Sequence, residues 1–320
     1  MVRHPAAKVI QNEWYDRSQP WVKLIVDRDE LFRVERRFLE GLNLDLDGVD
    51  PRTVRLYHRG REQTVHVFGE EDGTFDDGDY VLFYGRFRRD DRDFDSIFGR
   101  QNTYWLTWGG EPGQRFVEQV GAPTSQFPES GYHWSMAHFE QDLWYDPLPD
   151  APDNLRDHWF WDQPVFATKP DVPSSRIFAR DLAYPKLDEE YTARIRVALH
   201  GTTNLGHHTV VKLNNKEIED AVWEGQVEHE FEVEIPSSYL RDGTNRVLLQ
   251  AFADQAKWDQ VFFNWFAIDY RRLYRASVGF LSFERPAISS GERITISGFR
   301  NREIRLFDVA NGIRFIHLEI

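Results

Sequence analysis

The feature that most constrains the fold of this 320-residue chain is a strict alternation of residue types in two segments. In Val227–Ile235 four glutamates occupy every second position, and the positions between them are mostly apolar. In Tyr191–Leu199 the odd-numbered residues are Tyr, Ala, Ile, Val and Leu. A period of two places alternate side chains on opposite faces of a β-strand. Both segments are therefore predicted to be half-buried antiparallel strands.

The remaining chain continues this strand pattern. Val261–Tyr270 is apolar at nearly every position, which predicts a strand at the centre of a sheet. Short strand-like runs separated by Asp-Gly and Asn-Asn turn signals are typical of a β-sandwich or jelly roll. We therefore expect an all-β protein with four segments: an N-terminal β-domain over 1–120, a Pro- and Trp-rich wrapping segment over 121–175, a jelly-roll or galactose-binding-like sandwich over 176–275, and a β tail over 276–320.

Two local patterns in the first segment give sharper expectations. Glu35–Leu42 carries apolar residues at helical spacing and predicts one short helix. Thr53–Tyr57 and Thr64–Phe68 lie on either side of Arg59-Gly60-Arg61, which predicts that these two runs form a hairpin.

Composition and charge exclude several classes of function. The chain has no cysteine, so it has no thiol nucleophile, disulfide or cysteine-ligated metal. Its net charge of −14 argues against nucleic acid as a partner, because such binding depends on cations that neutralise phosphates. No apolar run approaches the roughly 18 residues that predict insertion into a membrane. The first residues lack the apolar stretch of a signal peptide, so the sequence fits a cytoplasmic protein or one whose signal was removed.

A group of acidic residues near position 75 is the best candidate for a metal site. Carboxylates on a flexible loop are the ligands that calcium prefers, and four of them occur within eight residues: Asp72, Asp76, Asp77 and Asp79. The spacing is not that of an EF-hand, and Asp-Gly is also ordinary turn chemistry. The sequence therefore leaves calcium and a purely structural turn as alternatives, and it predicts no other cofactor.

Tryptophans of the sandwich segment are candidates for a ligand surface. Exposed rings beside Asp, Asn and Arg are used by carbohydrate-binding jelly rolls. Trp223, Trp258 and Trp265, together with the tryptophans of the Trp134–Trp161 group, could form such a glycan or partner surface. Burial in the core is the alternative fate of a tryptophan. By contrast, the adjacent His207 and His208 should point to opposite faces of a strand, which disfavours a zinc site built from both.

No motif for catalysis stands out elsewhere. The sequence has no Gly-rich phosphate loop, nucleophile elbow or zincin motif, and no spacing singles out a pair of carboxylates for glycoside hydrolysis. A stand-alone hydrolase that uses Asp and Glu is therefore only a third hypothesis. The four glutamates of Val227–Ile235 are expected to be a solvated sheet face, a guard against edge pairing or a contact for a basic partner.

Several short motifs, taken in order, resemble those of the N-terminal region of gingipain-like cysteine peptidases, which include the sortase-like peptidase of the type IX secretion system. Glu30–Val34 stands where that family has an opening strand, without its usual glycine. The motifs in the first half are Asp50–Gly60, Glu71–Gly85 and Tyr104–Gly109. Those in the second half are His138–Asp142, Asp157–Trp161, His208–Asn215, Trp223–Gly225, Leu240–Asn245 and Asn264–Arg271.

The resemblance implies a part of a peptidase and not the peptidase itself. In the family a caspase-like domain with a His and Cys pair follows this region, so no residue of this chain can be assigned a catalytic role. We expect a non-catalytic accessory region of a secreted or cell-surface bacterial protein, which docks on or restrains a downstream catalytic domain of the same polypeptide, or positions substrate. The apolar end of the sequence is expected to continue into that domain. The alternative is an autonomous carbohydrate-binding module whose partner is a glycan or a protein at the cell surface.

Overall fold

The computed structural model describes residues 14–87, 101–121, 127–147, 157–188, 190–284, 293–302, 304–309 and 314–318. The described chain is almost entirely β-structure, which confirms the predicted fold class. Its single α-helix, α1, spans Arg36–Glu40, and short 3-10 helices lie at Pro51–Thr53, Glu70–Asp72 and Ser237–Tyr239. No helix in the described ranges is long and apolar enough to cross a membrane.

The strands are numbered in chain order. The first eight are β1 (Trp21–Val26), β2 (Glu30–Glu35), β3 (Arg55–His58), β4 (Arg61–Gln63), β5 (His66–Phe68), β6 (Tyr80–Gly85), β7 (Asn102–Thr107) and β8 (Val117–Gly121). The next six are β9 (Glu129–Ser130), β10 (Tyr132–Glu140), β11 (Trp144–Tyr145), β12 (Trp159–Phe160), β13 (Val165–Ala167) and β14 (Ser174–Leu182). The last nine are β15 (Thr192–Gly201), β16 (Gly206–Leu213), β17 (Lys216–Glu224), β18 (Glu228–Pro236), β19 (Gly243–Phe252), β20 (Asp259–Leu273), β21 (Arg293–Ile294), β22 (Leu306–Asp308) and β23 (Arg314–Leu318).

The chain forms two compact units, one from Met1–Ala122 with Glu303–Ile320 and one from Pro123–Arg302. The predicted wrapping segment, 121–175, supplies β9 to β13 and the start of β14 to the second unit. The predicted tail, 276–320, supplies β21 to the second unit and β22 and β23 to the first. The functional division into four segments stays a prediction.

The first unit has three small sheets, with strand orders β1-β7-β3-β4, β2-β6-β5 and β22-β23-β8. Its core lies between the first two, where Val26, Leu56, Phe83 and Leu106 are buried together. Helix α1 lies within the range predicted for it and buries Leu39.

The predicted hairpin is correct in its turn and wrong in its second strand. Arg59 and Gly60 both have positive φ and join β3 to β4, with His58 opposite Arg61. The run containing β5 instead pairs with β6 in another sheet. The chain changes sheets after Gln63 so that Val65 and Val67 are buried in the core of the unit.

The second unit is a sandwich of two antiparallel sheets. One has the order β10-β20-β15-β18, with β13 also paired to β20, and the other has the order β14-β19-β16-β17. Their inner faces share one core, in which the rings of Phe178 and Phe263 stack at 3.9 Å from opposite sheets. The apolar β20 pairs with β10, β13 and β15, as its predicted central position requires.

The glutamate stripe lies on the outer face of β18, as the alternation predicts. All four glutamates are exposed, and Ile235 on the other face is buried. Arg194 of the neighbouring β15 lies 3.4 Å from Glu232 and 3.7 Å from Glu234. Exposed ion pairs of this kind contribute little to stability. The stripe is therefore a solvated face of a strand at the edge of its sheet.

Candidate functional site

The predicted calcium ligands lie together in the turn before β6, which we call the acidic turn (Asp72–Asp79). The Asp72 carboxylate accepts the backbone N–H of Thr74 at 2.9 Å, and the Asp79 carboxylate accepts that of Asp76 at 2.7 Å. Asp76 and Asp77 are exposed. Two of the four carboxylates therefore stabilise the turn itself, as Asx-turns do. No group of three His, Asp or Glu side chains arranged to hold a metal occurs in the part of the chain that the structure describes. Calcium at this turn stays a prediction.

Trp223 is packed between two histidine rings. Its indole lies 4.3 Å from the His207 ring and 4.9 Å from the His229 ring, and its Nε1 donates to Thr209 Oγ1 at 3.1 Å. His207 is fully buried and its Nδ1 lies 2.5 Å from Asp259 Oδ1. Such a stacked and hydrogen-bonded indole is typical of a ring used for packing.

The other two candidate tryptophans lie elsewhere on the sandwich. Trp265 stacks on His138 of the neighbouring strand, with ring centroids 5.1 Å apart. Trp258 is 37% exposed and lies 5.8 Å from the Phe166 ring at an angle of 46°. The three rings do not form one flat platform. Of the three, Trp258 is the one that pairs with another exposed ring, that of Phe166. These two rings border a shallow groove that is also lined by Thr168, Lys257 and Gln260.

A short two-stranded ribbon carries four exposed apolar side chains. We call it the aromatic ribbon; it consists of β11 and β12 with the residues beside them, Leu143–Asp146 and His158–Phe160. Leu143 N–H donates to the Phe160 carbonyl at 3.0 Å, and Asp146 N–H donates to the His158 carbonyl at 2.9 Å. Its exposed side chains include Leu143 at 69% and Tyr145 at 54%, together with Trp144 and Trp159.

The ribbon is attached firmly to the outer face of the sheet. Phe160 is buried and stacks face to face on Phe262 of β20, with centroids 4.2 Å apart. The next residue, Trp161, donates its N–H to the Phe263 carbonyl at 3.1 Å. His200 of β15 lies beside Phe160 and is also buried, although it faces away from the sandwich core. The ribbon therefore presents its exposed rings from a fixed base.

Beside the ribbon lies a partly buried group that we call the acidic cluster, composed of His138, Glu140, Asp157 and Asn264. Asp157 Oδ1 accepts the N–H of Trp159 at 2.8 Å, and Asp157 Oδ2 accepts Asn264 Nδ2 at 3.2 Å. The Glu140 side chain is 5% exposed, and its Oε2 lies 3.0 Å from His138 Nε2. Three separate strands or their flanks thus contribute to one site.

Burial raises the pKa of Asp157 to about 7. The hydrogen bonds from Trp159 and Asn264 oppose this rise, and the negative charges of Glu140 and Asp142 add to it. A carboxyl group with such a pKa changes its charge near neutral pH, which is a property found at functional sites as well as in structural networks.

A β-bulge orients Asn264 toward this cluster. Ala198 lies opposite Trp265, whereas the next residue, Leu199, lies opposite Phe263, so Asn264 is the additional residue. Asn264 is 6% exposed, and its Oδ1 is buried without a hydrogen-bond partner. Bulges often redirect a side chain in this manner. The site could not be predicted from the sequence, because a bulge leaves no mark in the alternation of an apolar strand.

No protein-family model matches the sequence, and no curated protein matches it. Among solved structures, latent PorU from Porphyromonas gingivalis has the same fold over 93% of this chain, with a TM-score of 0.63 at 12% identity. The chain spans 29% of the length of PorU.

Carbohydrate-binding modules match a smaller part. A family 35 module from an environmental isolate covers 44% of this chain and 90% of the module, at 17% identity and a TM-score of 0.26. A family 35 module from Cellvibrio japonicus covers 43% of this chain and 97% of the module, at 10% identity and a TM-score of 0.26. At these TM-scores the modules support no argument about this protein.

One buried constellation has the residue types of a catalytic triad. Asp259 contacts His207 at 2.5 Å, and His207 Nε2 lies 3.4 Å from Thr203 Oγ1. All three residues are buried, and the last distance is long for a hydroxyl that must transfer its proton. Without access for a substrate this arrangement stabilises the end of the sandwich.

Proposed function

We propose that this chain is a non-catalytic accessory region of a gingipain-like cysteine peptidase, secreted or held at the bacterial cell surface, which docks on the catalytic domain. The observation that carries the proposal is the fold shared with PorU, which extends over 93% of this chain but only 29% of that protein. The ordered sequence motifs point to the same family, and the lack of any cysteine agrees with a part that does not perform the reaction.

The aromatic ribbon is the surface that best suits docking. Tryptophan and tyrosine are enriched among the residues that contribute most to protein interfaces. Trp144, Tyr145 and Trp159 are exposed together, and the buried Phe160–Phe262 stack holds them in place. A rigid apolar surface loses little conformational entropy when it binds. Through such a contact the accessory region would restrain the catalytic domain or position its substrate.

The first test is to determine whether the coding sequence continues beyond Ile320. We expect it to continue into a caspase-like domain with a His and Cys pair. That domain, expressed separately, is then titrated with this chain while peptidase activity and Tm are measured. A saturable change in either quantity supports docking, and no change in both contradicts it.

A matched pair of variants locates the contact. Trp144→Ala combined with Tyr145→Ala should weaken binding at least about tenfold, because each ring is expected to contribute on the order of 1 kcal/mol. Phe38→Ala, at an exposed aromatic residue of the first unit, is the control and should bind like the unchanged chain. Equal binding by both variants would place the contact outside the ribbon.

A glycan is the second candidate ligand, and the exposed Phe166–Trp258 pair favours it. Aromatic rings beside polar groups stack on sugars, and Lys257 and Gln260 supply the polar groups at this groove. Glycan-array binding that is lost in Trp258→Ala but kept in Trp144→Ala would support a carbohydrate-binding module. No binding to any glycan by the unchanged chain would exclude this role.

A further inference from the structure

The acidic cluster contains more hydrogen-bond acceptors than donors. The Glu140 carboxylate accepts one hydrogen bond, from His138. The Asp157 carboxylate accepts two, from Trp159 and Asn264. Neither carboxylate forms an ion pair with Lys or Arg in the described part of the chain. Buried charge of one sign without a counter-charge is costly. Some positive species is needed to balance the cluster when both groups are ionised.

Asn264 provides independent evidence for a ligand at this position. Its amide faces Asp157, since Nδ2 lies 3.2 Å from that carboxylate, yet its Oδ1 has no partner. Buried polar atoms are nearly always hydrogen-bonded, so an unpartnered amide oxygen on a residue that also contacts the Asp157 carboxylate requires an explanation. A cation bound at Asp157 would supply a partner for the amide oxygen and a counter-charge for the two carboxylates.

We propose that the acidic cluster is a calcium-binding site, with ligands from Glu140, Asp157 and the Oδ1 of Asn264. All three supply hard oxygen atoms, which calcium prefers, and calcium tolerates irregular geometry that magnesium does not. Because only two of these ligands are carboxylates, backbone carbonyls and water complete the coordination. His138 remains the hydrogen-bond partner of Glu140 and is not a ligand.

The position of the site gives it a structural consequence. Glu140 ends β10, Asn264 lies in β20, and Asp157 precedes β12 of the aromatic ribbon. A bound ion would therefore join the ribbon to two strands of the sheet. Sites of low charge in extracellular modules bind calcium with dissociation constants of roughly 0.1 to 1 mM. A ribbon fixed by calcium would present its rings in a calcium-rich medium outside the cell.

A proton is the competing explanation for the same geometry. A protonated Asp157 would donate to the Asn264 oxygen once the amide is turned over. The raised pKa of Asp157 agrees with either species, because proton and calcium would occupy the same negative site. The two explanations differ in their response to calcium at fixed pH.

The test is thermal unfolding of the full chain at pH 8 after treatment with EDTA, with and without 10 mM calcium chloride. We expect Tm to rise by about 5 °C, and equilibrium dialysis to find one ion per chain. Magnesium chloride at the same concentration should give a much smaller shift. An equal shift with magnesium, or no shift with calcium, would overturn the proposal.

Matched variants locate the ion. Asp157→Asn keeps the size of the side chain and should abolish the calcium shift, and Glu140→Gln serves the same purpose if the first variant does not fold. Asp77→Asn, in the exposed acidic turn, should respond to calcium like the unchanged chain. Loss of the shift in Asp77→Asn with its retention in Asp157→Asn would assign calcium to the turn and overturn the proposal.

Discussion

The acidic turn and the acidic cluster are both built from carboxylates, and they differ in how these were brought together. The turn gathers four aspartates within eight residues, of which two cap backbone N–H groups of the same turn. The cluster gathers Glu140, Asp157 and Asn264 from segments up to 124 residues apart, because 264 − 140 = 124. The Glu140 side chain of the cluster is buried, Asp157 is half-buried, and the amide oxygen of Asn264 has no partner.

This difference shows that carboxylates close in sequence do not by themselves indicate a ligand site. In a turn, short acidic side chains are consumed by local hydrogen bonds and their remaining charge is solvated. In the cluster, the surrounding sheet and ribbon remove water, so every unmet acceptor and every charge matters more. Variants at both places, compared in stability, test this contrast.

The largest expected effect is a dependence of stability on pH that comes from the cluster. The folded pKa of Asp157 is about 7, above its ordinary value of 3.8. The proton therefore stabilises the fold fully below pH 3.8, and this contribution is lost as pH rises through about 7. Without calcium, the free energy of unfolding should fall by roughly 2 to 3 kcal/mol between pH 5 and pH 8 from this group.

The measurement is denaturant unfolding of the unchanged chain and of Asp157→Asn, in EDTA, at pH 5 and pH 8. The difference between the two proteins in their change of unfolding free energy is the contribution of Asp157. The variant should be the more stable of the two at pH 8. Burial lowers the pKa of His133, which acts in the opposite direction but is common to both proteins. Parallel pH profiles for the two proteins would show that Asp157 does not carry the effect.

The next effect concerns the glycine that precedes the acidic turn. Gly69 has φ of 86°, and a Cβ there would lie 1.9 Å from Asp79 Oδ1. We expect Gly69→Ala to lower the free energy of unfolding by about 2 to 3 kcal/mol, through backbone strain and displacement of that carboxylate. Gly78→Ala is the control, since its φ is 99° but nothing lies within 4 Å. It should cost about 1 kcal/mol in chemical denaturation. Equal losses would show that contact with Asp79 is unimportant.

The smallest expected effect is a difference in stability between alanine variants at two aspartates of the acidic turn. Asp79→Ala leaves the N–H of Asp76 without its acceptor and should cost about 1 to 2 kcal/mol. Asp77→Ala removes only an exposed carboxylate and should change stability by less than about 0.5 kcal/mol. Tm values of the two variants check this order. A reversed order would mean that Asp77 has a role in the turn that its exposure does not reveal.

The fold class could be predicted from the sequence because burial on one face imposes a period of two. Val227–Ile235 predicted a half-buried strand and Val261–Tyr270 a central strand, and the structure agrees with both predictions. The hairpin at Arg59-Gly60 shows the limit of such a prediction, since local turn chemistry fixed the turn but not the sheet that β5 joined.

The candidate ligand surfaces could be predicted less fully from the sequence, because they depend on tertiary structure. Trp223, Trp258 and Trp265 were recognisable as candidates by residue type, but their sequence positions held no information about which rings would be covered. Two of them stack on histidines from neighbouring strands, and only Trp258 is exposed beside another ring. The exposed ribbon around Trp144 and Trp159 lay in a segment without a regular pattern, so its pairing could not be predicted.

The sequence by itself determined the features that depend on neighbours along the chain. These are the alternating faces of the strands, the turns, the aspartates of Asp72–Asp79 that accept nearby backbone N–H groups, and the absence of a thiol. What only the tertiary structure decided is which distant groups share one buried space. Glu140, Asp157 and Asn264 meet because strand pairing and a bulge bring them there. Their altered chemistry follows from the loss of water, which is a property of the packed fold and of no single segment.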